Sequence, residues 1–576
     1  MKKLLLGNQA VARGAWEAGC KVATAYPGTP STEITENVAK YHEIYSEWSP
    51  NEKVALEVGI GASYGGARTL VSMKHVGLNV AADPFFTLSY TGVNAGLVLA
   101  VADDPGMHSS QNEQDTRLYG RSAHVPVLEP SDSMEAKEFT KYAFELSEKY
   151  DTPVILRLTT RVSHSRGMVE VEDRKDVALK DYNKDMAKYV MMPGMARKRH
   201  VVVEAREEQL QNDCNQLPIN VVEYKDNKIG VITSGLCYQY VKESLPEASV
   251  LKLGMVYPLP YDMIKEFASK VDRLIVIEEL EPFIEDSIKA KGISCEGKEL
   301  FTLQGEYSTN LIKKSILGID SGEVESAEGL PVRPPAMCPG CPHRGTYHVI
   351  NKLGLRVTGD IGCYTLGALP PVSAMDTCVC MGASIGVAMG MEKARGKDFA
   401  KKTIAIIGDS TFMHTGINGL IDVVYNQGNT TVMIVDNRTT GMTGHQNNPT
   451  NGKDIAGQEA PMIDFENLVK AIGIEYVHTV DPFNSNKLET ALQGALDFDG
   501  PAVIVAKRPC VLLDKKFRRP PLNERQASVL NPEKALSIGC PAIVKEGNGI
   551  KIDQTLCVGC GLCLRVAAEK PASKEV

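Results

Sequence analysis

The sequence predicts an α/β protein of several domains, built on parallel sheets and ending in a small cysteine-rich unit. Three observations carry this. Short apolar runs alternate with helical patterns along most of the chain, the order expected when crossover helices join parallel strands. The length of 576 residues, at roughly 150 residues per domain, gives about four domains. Cys557, Cys560 and Cys563, spaced C-x2-C-x2-C, set the tail apart.

Taken in order, V-A-T-A-Y-P-G-T-P reads as a strand and a turn, and Glu52 to Ala67 as an amphipathic helix. R-T-L-V-S-M-K-H, A-G-L-V-L-A-V-A-D and P-V-I-L-R-L read as strands. The charged stretch from Ala196 to Asp226 is expected to be a connection. K-I-G-V-I-T-S-G, S-V-L-K-L and D-R-L-I-V-I-E-E then form a second, smaller α/β region. S-A-E-G-L-P-V-R-P-P reads as a Pro-rich linker. A third α/β region runs to about Leu513, and the basic L-D-K-K-F-R-R-P-P leads into the tail. The expected divisions are 1–197, 198–330, 331–520 and 521–576.

Hydrophobic residues make up 43% and charged residues 23%, the composition of a globular chain and neither a disordered nor a fibrous one. The net charge of −8 argues against a dedicated nucleic-acid binder. No apolar run approaches the ~20 residues of a membrane span. M-K-K-L-L-L-G opens like a signal peptide, but its apolar stretch ends after three leucines, so a cytoplasmic protein is expected. Thiols are kept reduced there, and clustered cysteines then point to metal or redox chemistry before disulfides. Isolated Cys20, Cys214 and Cys237 read instead as buried apolar residues.

The most informative stretch is T-I-A-I-I-G-D-S-T-F, followed by a helical span and T-T-V-M-I-V-D-N-R-T-T. This is a βαβ unit that places Asp409 and Asn437 at the carboxyl ends of parallel strands, where open α/β sheets bind ligands. A carboxylate, an amide oxygen and a backbone carbonyl, assigned to Thr439, suit a hard divalent cation that also holds phosphate oxygens. Gly408-Asp409-Ser410, residues 411–435 and then Asp436-Asn437 match the thiamin diphosphate motif; ordinary loop residues are the competing reading. Thiamin enzymes also need a carboxyl group at the aminopyrimidine, to promote its imino form. Glu52, opening a helix after an extended segment, is the candidate; Glu57 reads as a solvated helix residue.

At these residues the sequence resembles a family. Y-P-G-T-P-S-T-E, N-E-K-V-A-L-E-V-G-I-G-A-S-Y, K-H-V-G-L-N-V-A-A-D-P and D-D-P-G-M-H-S-S-Q-N-E-Q-D are similar to the large (alpha) subunits of indolepyruvate:ferredoxin oxidoreductases. So are C-P-G-C-P-H-R-G, G-D-S-T-F, D-N-R-T-T-G-M-T-G-H-Q and the tail, and the resemblance covers essentially the whole chain. It implies a pyrimidine-binding thiamin diphosphate domain (1–197), a transketolase C-terminal-like domain (198–330), a pyrophosphate-binding domain (331–520) and a ferredoxin-like domain (521–576). Glu52 then touches the aminopyrimidine, Thr29 lines the thiazolium and substrate pocket, and Gly408, Asp409, Ser410, Asn437 and the Thr439 carbonyl hold Mg2+ and pyrophosphate. Arg121 lies where related pyruvate enzymes bind the substrate carboxylate, with a surface arginine as the alternative.

A two-cluster ferredoxin carries two C-x2-C-x2-C-x3-C-P runs, each donating its fourth cysteine to the other cluster. Here Cys540-Pro541 survives from the first run, without its three preceding cysteines. The second run keeps Cys557, Cys560 and Cys563, with Ala567 in place of the fourth. The survivors are the crossed set for one [4Fe–4S] cluster. Cys338, Cys341, Cys363 and Cys510 resemble the ligands of a second cluster beside thiamin in related enzymes; free or structural cysteines compete with that reading. Cys378 and Cys380 read as packing residues.

The resemblance implies oxidative decarboxylation of aryl 2-oxoacids to aryl-acetyl-CoA, with coenzyme A as co-substrate and electrons passing to ferredoxin. It also implies a smaller beta subunit as partner, in a dimer of heterodimers. A non-oxidative thiamin decarboxylase would share Glu52 and Asp409 but has no use for the tail cysteines. An electron-transfer scaffold with a dead thiamin site would have no need of intact Glu52, Asp409 and Asn437.

Overall fold

The computed structural model describes residues 1–320, 329–330, 334–523, 526 and 530–568. The chain divides into two compact units, Met1–Glu328 and Gly329–Val576. The expected Pro-rich linker lies largely outside the described residues.

In the first unit the apolar runs become a seven-stranded sheet ordered Met255–Tyr257, Val127–Leu128, Val154–Thr159, Leu97–Asp103, Thr69–Lys74, Val22–Ala25, Tyr45–Trp48. All neighbours pair in parallel except Met255–Tyr257, which runs antiparallel to Val127–Leu128. Side chains alternate between two covered faces. Val98, Ala100 and Ala102 enter one core, while Leu97, Leu99 and Val101 enter the other. A strand buried on both faces needs continuous rather than alternating hydrophobicity, which is how these runs read in the sequence.

A four-stranded sheet follows, ordered Arg273–Ile277, Asp226–Ser234, Ala248–Leu253, Val221–Glu223. Its Ile232, Leu251 and Val276 share a core with Leu99 and Val101 of the larger sheet. A buried ion cluster adds to this seam: Arg117 bonds Asp115 and, at 2.5 Å, Glu278, while Arg157 bonds Asp103 and Glu129. Lys2–Leu6, the leader-like opening, pairs antiparallel with Arg166–Glu170.

The segment expected to be a connection from Ala196 to Asp226 is instead largely helix, Pro193–Asp213. Only Val203, Arg206 and Leu210 are buried along it, a seam too narrow to show as amphipathicity. The Arg206 guanidinium, donating to the carbonyls of Asp151 and Ser89, anchors the helix in place of apolar area.

The second unit carries a six-stranded, all-parallel sheet ordered Thr377–Cys378, Arg356–Gly359, Thr403–Gly408, Thr431–Asp436, Ala502–Lys507, Tyr476–Val480. Ile404, Ile406, Met433 and Val435 face one core; Ala405, Ile407, Val432 and Ile434 face the other. At ~1.5–3 kcal/mol for each large buried side chain, these two strands contribute to both cores of the unit. The tail holds the helices Pro532–Ser537 and Leu562–Ala568 and an antiparallel hairpin, Ile543–Glu546 with Gly549–Ile552. Among the described residues, no helix is long and apolar enough to cross a membrane.

Candidate functional site

In the first unit, three neighbouring parallel strands deliver polar side chains from their carboxyl ends. Thr29 follows Val22–Ala25, Lys74 ends Thr69–Lys74, and Asp104 follows Leu97–Asp103. Ser109 joins them: its hydroxyl donates to the Thr29 carbonyl (3.1 Å), its amide donates to Asp104 Oδ2 (2.8 Å), and its carbonyl accepts from Lys74 Nζ (2.6 Å). Burial pulls Lys74 down to about 8, against the pull of Asp104. Although burial opposes it, hydrogen bonds from Ser110, Thr160 and the Ser109 amide hold Asp104 below the usual carboxylate range.

Glu52 is the first residue of the helix Glu52–Tyr64, which Asn51 caps by accepting from the Val54 amide (2.9 Å). Its side chain is buried and lies flat on Gly77: a Cβ there would fall 2.6 Å from Glu52 Oε1. Glu57 is exposed and paired with Lys53, as a solvated helix residue should be. Arg121 is exposed, with its guanidinium 5.5 Å from the centroid of the Phe283 ring.

In the second unit Asp409 and Asn437 sit at the carboxyl ends of the adjacent strands Thr403–Gly408 and Thr431–Asp436. The Thr439 amide is the hub between them, donating to Asp409 Oδ2 (3.1 Å) and to Asn437 Oδ1 (3.1 Å). Asp409 also accepts from the Ser410 amide (2.8 Å) and the Thr450 hydroxyl (3.2 Å). Burial and the neighbouring Asp436 carboxylate push Asp409 up to about 7. Two carboxylates that oppose each other's charge in this way favour a cation, and a divalent cation with phosphate oxygens fits this donor set. The helix beginning at Asp409 widens to π spacing at Phe412–Gly416, a distortion common at functional sites.

The cysteines fall into two groups beside this centre. Cys363 Sγ would lie 3.2 Å from a Cβ at Gly441, which would also meet Asn437 Nδ2 at 3.8 Å. The Cys510 amide donates to the Asn437 carbonyl (3.0 Å). Cys341 and Cys338 share a turn, the amide of the first donating to the carbonyl of the second (3.1 Å). Burial raises Cys341 to about 12 and Cys363 to about 11; the sulfurs of Cys363 and Cys338 add to the first shift and those of Cys510 and Cys338 to the second.

Cys540, Cys557, Cys560 and Cys563 line a single small cavity, together with Pro339, Gly340 and Arg344. Gly340 has φ +76°, and a Cβ there would strike Val558 at 2.5 Å, so the C-P-G-C turn needs its glycine to approach the tail. Arg344 donates to the carbonyls of Cys338 (3.0 Å), Met337 and Ile538 (2.7 Å), tying the two cysteine groups together. Burial raises the thiols of Cys540 and Cys560, and that of Cys563 to about 12, a cost that an iron centre holding them as thiolates would offset.

Cys20, Cys214 and Cys237 are buried as expected. Cys378 and Cys380 are exposed, which corrects their reading as packing residues: they lie on and just after the edge strand Thr377–Cys378, where one flank has no neighbour among the described residues. Sequence reasoning missed Lys74, Asp104 and Ser109, although K-H-V-G and D-D-P-G-M-H-S-S carry them. It also missed Thr450 and the buried His343, whose Nε2 lies 3.5 Å from Asn437 Nδ2.

Residues 13–225 match the family model described as pyruvate flavodoxin/ferredoxin oxidoreductase, thiamine diP-binding. Residues 360–506 match the C-terminal TPP-binding domain of thiamine pyrophosphate enzymes. The chain is 41% identical to the indolepyruvate oxidoreductase subunit IorA of Archaeoglobus fulgidus, over 100% of this chain and 98% of that one. It is 42% identical to the IorA subunit of Pyrococcus abyssi, over 98% of this chain and 95% of that one. Among solved structures, a 2-oxoglutarate:ferredoxin oxidoreductase from Magnetococcus marinus aligns with a TM-score of 0.48 and 17% identity, over 55% of this chain and 65% of that one.

Proposed function

The chain belongs to the IorA family of indolepyruvate oxidoreductase subunits, and from that premise we propose that its substrates are indolepyruvate and other arylpyruvates. It is a thiamin diphosphate-dependent oxidoreductase of 2-oxoacids. The proposed reaction converts an arylpyruvate, coenzyme A and two oxidised ferredoxins to an aryl-acetyl-CoA, CO2, a proton and two reduced ferredoxins. A smaller beta subunit completes the enzyme, as a dimer of heterodimers working in the cytoplasm.

Thiamin diphosphate supplies the electron sink for loss of CO2. In this reading Glu52 holds a proton at the aminopyrimidine, and its burial keeps water from that carboxyl. Thr29 and Arg121 orient the substrate. Asp409, Asn437 and the Thr439 carbonyl hold Mg2+, with Gly408 and Ser410 beside the pyrophosphate. Cys338, Cys341, Cys363 and Cys510 hold a [4Fe–4S] cluster nearby, and Cys540, Cys557, Cys560 and Cys563 hold another in a ferredoxin-like tail. The divisions 1–197, 198–330, 331–520 and 521–576 are retained as functional regions.

The observation that carries the oxidative reading is the cavity ringed by the four tail cysteines and roofed by the C-P-G-C turn. A non-oxidative decarboxylase has no use for it. The test is Cys560→Ala, purified anaerobically with the partner subunit. Iron should fall by up to about four per chain, as expected for loss of one [4Fe–4S] cluster, while thiamin content holds and ferredoxin reduction drops. Unchanged iron and unchanged ferredoxin reduction would remove the tail cluster.

A further inference from the structure

The polar helix Pro193–Asp213 carries His200, Glu204 and Glu207 at i, i+4 and i+7, a spacing that puts them on one face. Opposite them stands His124, the residue that ends the helix Thr116–Ala123 in a left-handed conformation (φ +56°). A non-glycine residue there is uncommon, and this one turns its ring toward the polar helix. The ligand atoms of His124, Glu204 and Glu207 all lie within 4.8 Å of one another. His124 Nδ1 meets Glu207 Oε2, and His200 Nε2 lies 3.4 Å from Glu204 Oε1. The two imidazole rings stand nearly perpendicular, with centroids 6.4 Å apart.

Outer partners orient the same atoms. The Tyr257 hydroxyl donates to Glu207 Oε1, leaving Oε2 toward His124. The Tyr90 hydroxyl bonds His200 Nδ1 at 3.0 Å, leaving Nε2 toward Glu204. Hydrogen bonds to the far atom of each ligand are how proteins fix histidine tautomers and carboxylate orientation at metal sites.

We propose that His124, Glu204 and Glu207 form a structural divalent-cation site, with one imidazole nitrogen and two carboxylate oxygens suited to Zn2+, and that His200 flanks it through Glu204. Mg2+ and Ca2+ want six or more oxygen donors, whereas three mixed N and O protein donors, with water as the fourth, are a set that zinc takes. Zinc bonds of about 2.0–2.2 Å need these three ligand atoms drawn in by about 1 Å, within reach of side-chain rotation. The dication balances the two carboxylates. Its task is to fasten the helix to the end of Thr116–Ala123, a helix that buries little apolar area of its own.

The test uses the iron-loaded enzyme with its partner subunit, incubated with Zn2+ alone, passed through gel filtration and analysed for zinc, iron and thiamin. The wild type should retain one more zinc per chain than Glu204→Gln and His124→Asn, with iron and thiamin equal in all three. Tyr257→Phe should weaken zinc binding about 10–100-fold. Hydrogen exchange across 193–213 should slow on zinc addition in the wild type and not in Glu204→Gln, a readout independent of activity. Equal zinc in the wild type and both variants would overturn the proposal and leave the cluster as two ion pairs; so would exchange that zinc does not alter.

Discussion

Gly77→Ala isolates the placement of Glu52 from the stability of the fold. A Cβ at Gly77 falls 2.6 Å from both Cγ and Oε1 of Glu52 and 2.8 Å from Cδ. Ordinary van der Waals contact begins near ~3.5 Å, so the carboxyl must retreat by about 1 Å. Gly77 lies in the short helix His75–Val80 and is not among the positive-φ glycines. The backbone therefore accepts alanine, and helix propensity gains up to about 1 kcal/mol. That gain offsets the ~0.5–1.5 kcal/mol of moving a side chain off its rotamer. Melting temperature should then change by only a few degrees. Catalysis should not be spared, because a misplacement of about 1 Å can cost about 100-fold, or ~2.7 kcal/mol of barrier. Turnover is measured anaerobically with the partner subunit, coenzyme A and ferredoxin, beside a calorimetric titration of thiamin diphosphate. A turnover within twofold of wild type, with cofactor bound normally, would show that the Glu52 carboxyl does not act where it is placed.

Two further outcomes follow from the burial of single carboxylates. Asp409→Ala should abolish Mg2+-dependent thiamin diphosphate binding, because it removes the buried carboxylate that would face the cation; unchanged cofactor affinity by calorimetry would exclude the site. Glu279, which accepts from the Tyr307 amide at 2.8 Å, is pushed up to about 7 by burial. Its contribution is present below its ordinary value of 4.5 and is lost as pH rises toward 7. The stability of Glu279→Gln relative to wild type should therefore climb with pH by up to about 3 kcal/mol; a flat difference across that range in urea melts would refute it.

The strands of both large sheets were legible because they are buried on two faces. Ile404 to Ile407 and Leu97 to Val101 had to be apolar throughout, and so stand out from their surroundings. Asp409 and Asn437 were legible for a related reason: each stands where such a run gives way to polar residues. The helix Pro193–Asp213 was not, since guanidinium bonds from Arg206 to distant carbonyls replace an apolar stripe. Nor was the antiparallel entry of Met255–Tyr257 into the first sheet, because three residues carry too little periodicity to assign a partner. The Arg117–Asp115–Glu278 cluster joins residues 161 positions apart, a pairing that charge pattern along the chain cannot reveal. The tail cysteines stood out by their spacing, and the fold brings all four to one cavity, while the approach of Gly340 to Val558 needed the fold.

The most direct measurement is the product balance of the complete enzyme given indolepyruvate, coenzyme A and oxidised ferredoxin under argon. The account predicts indoleacetyl-CoA, CO2 and reduced ferredoxin in the ratio one to one to two, with no product when coenzyme A and ferredoxin are both withheld after the first turnover. Steady release of indoleacetaldehyde with ferredoxin left oxidised would contradict it, and would make the protein a non-oxidative thiamin decarboxylase.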